Sequence, residues 1–115
     1  MTMQDKQTRA SKTKKMLDIE QRVQMRNDIM KKLLLNQITL GQALKSLRLN
    51  LLAVKQEDYA KIVKISRKTL SDLENDKGNY SIEIINQALR PFEFHIGILP
   101  INRLQIKQAL ESDIK

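Results

Sequence analysis

The most constraining feature of this chain is a stretch of 25 residues, Lys55 to Asn79, KQEDYAKIVKISRKTLSDLENDKGN. Two amphipathic pieces, about 55–63 and 67–75, are joined by only a few residues. Helices this short do not persist alone in water and must be held by packing. To cross at a steep angle over so short a turn, the first helix needs a small residue at the crossing, which Ala60 supplies. The hinge needs an apolar plug, Ile65, and the second helix an N-cap, Ser66. Leu70 and Leu73 turn that helix inward, and Arg67, Lys68, Ser71 and Asp72 then point outward. The spacing therefore predicts a small helical bundle with one polar, partly cationic helix on its surface.

The flanking segments extend the bundle. Residues 1–13 lack apolar periodicity and are expected to form a mobile basic arm, with Lys6, Arg9 and Lys12 able to touch a polyanion. From 14 to 35, Met16, Ile19, Val23, Met30 and Leu33 follow helical spacing, interrupted by Arg26. This helix packs on its own domain or contributes to a dimer contact. Thr39 and Gln42 form a capping box, with Ile38 as staple, and open a helix along Leu40, Ala43, Leu44, Leu47 and Leu51. Ser81 caps a further helix, about 82–90, that stops before Pro91. A last, ragged helical segment follows Pro100, with Leu104, Ile106, Ala109 and Leu110 as its apolar residues. The organisation expected is arm 1–13, helix 14–35, helical domain 36–90, and a C-terminal region 91–115.

That region opens with PFEFHIGILP, residues 91–100, where Phe92, Phe94, Ile96 and Ile98 alternate with Glu93, His95 and Gly97. A period of two predicts a β-strand. A lone strand leaves its N–H and C=O groups unpaired. The economical solution is antiparallel pairing with a second copy about a twofold axis, making Phe92, Phe94, Ile96 and Ile98 the dimer interface. Pairing with a segment in 101–106 is the alternative.

Charge separates these parts. The chain carries net +8, yet residues 81–115 hold four Lys/Arg and four Asp/Glu, so the excess lies in residues 1–80. Binding to a polyanion and assembly are thereby assigned to different regions. With no cysteine, disulfides and thiolate metal sites are excluded. One His, no glycine-rich phosphate loop and no ligand cluster argue against an enzyme, a metal or a cofactor. No apolar run of membrane-spanning length and no secretory signal are evident, so the protein reads as cytoplasmic with no membrane partner.

The 55–79 outline is that of a helix-turn-helix, whose second helix enters the DNA major groove. From Leu40 to about Leu89 the residues also resemble the Cro/C1-type (XRE) domain of phage repressors and bacterial regulators. The matching residues are Gln56-Glu57, Ala60, Ile65-Ser66, Thr69-Leu70-Ser71 and Leu73-Glu74-Asn75. The resemblance implies a lambda-repressor-like bundle. Lys64 stands where the family usually has Gly, Ala53-Val54 replaces a Gly-aliphatic pair, Tyr59 replaces Leu, and the link from Arg48 to Gln56 is one residue longer.

By position, the resemblance implies that Gln56 donates to a phosphate and that Ser66, Arg67 and Lys68 open the recognition helix. Arg67 and Lys68 suit guanine O6/N7, and Asp72 suits a cytosine amino group. Ser71 lies beside Asp72, and the Thr69 hydroxyl is within reach of phosphate. Asn75, Lys77 and Asn79 are implied phosphate contacts, and Glu74 is implied to pair with Arg48. The strand after the domain is similar to that of HipB-type antitoxins. The expected function is thus a homodimeric, sequence-specific transcriptional regulator, most simply a repressor, on a palindromic operator in double-stranded DNA. The alternative is an antitoxin that restrains a HipA-type kinase toxin and represses its own operon.

Overall fold

The computed structural model describes the backbone of residues 3–112 and the side chains of residues 19–112. Its elements are α1 (Met3–Leu34), α2 (Leu40–Ser46) continued by a π-helical stretch (Leu47–Leu52), α3 (Gln56–Val63), α4 (Arg67–Glu74), α5 (Ile82–Leu89), a 3-10 turn (Arg90–Phe92) and α6 (Arg103–Glu111). α1 therefore begins at Met3, within the segment expected to be a mobile arm; the side chains of Lys6, Arg9 and Lys12 lie outside the described residues.

Local chemistry explains the boundaries. The Thr39 hydroxyl accepts from Gln42 N–H at 3.1 Å, and the Gln42 side-chain Oε1 accepts from Thr39 N–H at 2.9 Å, closing the expected capping box. α1 stops in a Schellman motif, with Asn36 left-handed at φ 58° and Gln37 N–H donating to the Lys32 carbonyl at 2.8 Å. The wider π turn after α2 keeps Leu47, Arg48 and Leu51 all buried and absorbs extra chain length before α3, ending at left-handed Ala53.

The core joins Ala43, Leu44 and Leu47 to Ala60, Val63, Leu70, Leu73, Ala88 and Leu89, with Ile29 entering from α1. Among the described side chains of α1, Ile19 and Val23 are exposed, while Met25, Ile29 and Leu33 meet the core. Arg26, the break in the apolar stripe, lies 3.7 Å from Glu93 across the bundle edge. Tyr59 is fully buried, stacks on Phe92 with ring centroids 5.8 Å apart, and donates its hydroxyl to the Ala88 carbonyl. Burial raises its pKa far above the ordinary phenol value, with Glu74 adding to the rise and Arg48 opposing it.

The segment 91–100 departs from expectation, and no β-strand occurs among the described residues. Pro91 enters the 3-10 turn, which suits its fixed φ, and Glu93 closes it in a left-handed conformation at φ 63°. An alternating face needs consecutive extended residues, and this turn interrupts them. Phe92 is consequently sent into the core and Phe94 packs against it, whereas Ile96 and Ile98 stay exposed. The alternative pairing segment in 101–106 is unavailable as a strand, because α6 starts at Arg103 under an Asn102 cap. Ile96 N–H is held by Asn86 Oδ1 at 2.7 Å; Ile98 is fully exposed.

Candidate nucleic-acid interface

α3 and α4 meet at a tight turn. Lys64 is left-handed at φ 60°, and Ile65 N–H donates to the Ala60 carbonyl at 3.0 Å. A non-glycine residue there costs about 1–2 kcal/mol. The Gln87 amide of α5 offsets this strain by donating to the Val63 and Lys64 carbonyls at 2.7 and 3.1 Å. Ser66 then caps α4, its hydroxyl accepting from Thr69 N–H at 3.0 Å and donating to Thr69 Oγ1 at 2.8 Å.

The C-terminus of α4 is locked just as firmly. Lys77 N–H donates to the Asp72 carbonyl at 2.8 Å and Asp76 N–H to the Leu73 carbonyl at 3.2 Å, a Schellman motif with Asp76 left-handed. Asp76 rather than glycine occupies this position because its carboxylate caps α2, accepting from the Thr39 hydroxyl at 2.6 Å and Gly41 N–H at 2.9 Å. α2 and α4 approach so closely that a Cβ on Gly41 would stand 2.5 Å from the Leu73 carbonyl oxygen.

Beneath α4, Glu74 receives Arg48 Nε and Nη2 at 2.6 and 2.9 Å, the pairing that the family resemblance implied. Both side chains are almost wholly buried, and Arg48 Nη1 also reaches the Val54 carbonyl at 2.7 Å. Gln56 is drawn into this cluster through Nε2 to Glu74 Oε1 at 2.9 Å. The amide that the resemblance implies as a phosphate donor thus donates inward.

The helix so fixed exposes Ser66, Arg67 and Lys68 at its start, with Thr69, Ser71 and Asp72 half-buried on the same element. Asn75, Lys77 and Asn79 follow, exposed, at its end, although the Asn75 amide donates back to the Ser71 carbonyl at 2.8 Å. These nine residues are brought onto α4 and its exit loop. Asp72 Oδ2 receives the Tyr80 hydroxyl at 2.6 Å and the Lys68 ammonium at 3.1 Å. Those two donors hold the Asp72 carboxyl below its ordinary pKa, and the carboxylate in turn raises the pKa of both Lys68 and Tyr80. Asp72 is therefore an anion already matched by a cation and a phenol. Lys68 remains reachable, with 83% of its side chain exposed.

Tyr80 is the site residue that sequence reasoning missed. It lies eight positions beyond Asp72, and only the loop turn at Gly78, φ 81°, returns its ring to α4. Among the described residues no cluster of His, Cys, Asp or Glu suits a metal ion, and no helix is long and apolar enough to cross a membrane. What the surface offers is exposed cations, amides and hydroxyls on one rigid helix, a set suited to phosphate oxygens and base edges. Compared with protein-family models, with curated proteins and with solved structures, the chain finds no match.

Proposed function

We propose that this protein is a sequence-specific DNA-binding transcriptional regulator, in its simplest form a repressor, with α3 and α4 as its helix-turn-helix. The observation that carries this reading is α4: capped at both ends, locked from below by Arg48 and Glu74, and exposing Arg67 and Lys68 at its N-terminal end. A reading helix needs that rigidity, because base contacts are lost when side chains are misplaced by an ångström. The resemblance to the Cro/C1-type domain and its lambda-repressor-like bundle supports the same reading. Replacing both Arg67 and Lys68 with Ala is expected to abolish sequence preference in a gel shift on DNA selected from a random pool, with unchanged far-UV circular dichroism. Unaltered selectivity in that variant removes α4 as the reading helix.

The regulator acts as a homodimer on a palindromic site, with its two α4 helices about one DNA turn, roughly 34 Å, apart. Support comes from residues 95–99: apart from Ile96, none of their N–H groups has a partner among the described residues, and Ile98 is fully exposed. Antiparallel pairing with a second copy through Ile96 and Ile98 satisfies both. Phe92, held in the core, takes no part.

A second reading, an antitoxin that restrains a HipA-like toxin, is favoured by a cleft of about 520 Å³ between the end of α1 and α6. Its walls include Leu34, Leu35, Leu104 and Leu110, an apolar surface that DNA does not use. Relief of growth arrest caused by a co-expressed neighbouring gene product is the result that reading requires.

A further inference from the structure

The Tyr80 hydroxyl is the shorter of the two contacts on Asp72, and both contacts fall on the same oxygen, Oδ2. Oδ1 has no donor among the described residues, and 23% of the Asp72 side chain is open to solvent. The two donors differ in how firmly they stay. Lys68 is a long, largely exposed chain that can swing to a phosphate or a guanine. Tyr80 is half-buried against the core margin. Its ring lies so close to Gly78 that a Cβ there would stand 2.6 Å from it.

Resting on the DNA-binding reading above, we propose that Tyr80 is a positioning residue for base readout: it holds Asp72 by Oδ2 and leaves Oδ1 as a fixed acceptor for the exocyclic amino group of a cytosine. The chemistry selects the base. A carboxylate can only accept, so it is satisfied by cytosine N4–H, repelled by the O6 and N7 acceptors of guanine or the O4 of thymine, and suited less to adenine, whose N6–H donor stands beside the N7 acceptor. Its ionised state, maintained by the phenol and the ammonium, keeps it from donating instead. When Lys68 leaves for the DNA, Tyr80 is the contact that keeps Asp72 from rotating away.

The test is Tyr80→Phe, which keeps the ring and removes only the hydroxyl, compared with Asp72→Ala on every single-base variant of the selected site in competition gel shifts. The wild type is expected to favour cytosine at one position under α4 by about tenfold, the scale of one good base contact. Tyr80→Phe and Asp72→Ala are both expected to reduce that preference to about twofold at the same position, with the denaturation midpoint of Tyr80→Phe retained. A Tyr80→Phe protein that keeps the wild-type ratio, or that loses affinity equally at every position, overturns the positioning role while leaving DNA reading intact. A wild type with no preference at any base pair removes both.

Discussion

Residues 39–92 and the C-terminal residues 93–112 are built on opposite terms. In the first region the strained and polar features have partners distant in sequence. Asp76 caps α2, Gln87 steadies the Lys64 hinge, Arg48 meets Glu74, and Tyr59 meets Ala88 and Phe92. In the second region Ile98, Leu99, Ile101, Leu104 and Leu110 are exposed, and Ile106 alone is buried. A region that satisfies itself can present a surface rigidly; one that leaves apolar groups in water is poised to cover them with something else. On the function proposed above, interior order would serve readout in the one, and unsatisfied surface would serve assembly in the other.

The contrast can be broken most sharply at Glu74. Glu74→Ala leaves the Arg48 guanidinium buried without its carboxylate and is expected to cost about 3–5 kcal/mol in denaturant unfolding. Replacing the pair together, Arg48→Met with Glu74→Leu, restores most of that loss if the penalty arises from the orphaned charge. Next comes Gly41→Ala, whose methyl meets the Leu73 and Glu74 carbonyls and forces α2 off α4; a loss of about 1–3 kcal/mol in the same assay is expected. Thr39→Ala removes the hydroxyl shared by Gln42 N–H and Asp76 and should lower stability by about 1 kcal/mol.

The smallest stability effect belongs to the other region. Ile98→Asp should change the unfolding free energy of the monomer by less than about 0.5 kcal/mol, because nothing is lost from the core. Light scattering of the same variant should show a monomer where the parent is a dimer. A dimer that survives this substitution assigns assembly to another surface, and the cleft between α1 and α6 becomes its nearest candidate.

The helical elements were legible because their signals are local. The Thr39 capping box, the Ser66 and Ser81 caps, and the inward Leu70 and Leu73 each act within a turn or two, and the structure places them as expected. The pairing of Arg48 with Glu74 was legible through resemblance, since 26 residues separate the two. PFEFHIGILP misled for a physical reason: a two-residue period records which positions are apolar and not whether the backbone between them stays extended. Tyr80 and Asp76 carried no signal at all, because their importance arises from loop turns at Gly78 and at Asp76 itself.

What the amino-acid order determined by itself was the set of short capped helices, the polar face of α4, and the confinement of net positive charge to the first 80 residues. Those properties follow from interactions a few residues apart, which any folded arrangement of these helices must keep. The tertiary structure alone decided that Phe92 belongs to Tyr59 and that Tyr80 belongs to Asp72. Such partnerships depend on how a left-handed residue redirects the chain in space, and a single turn of that kind exchanges one neighbour for another without altering a local pattern.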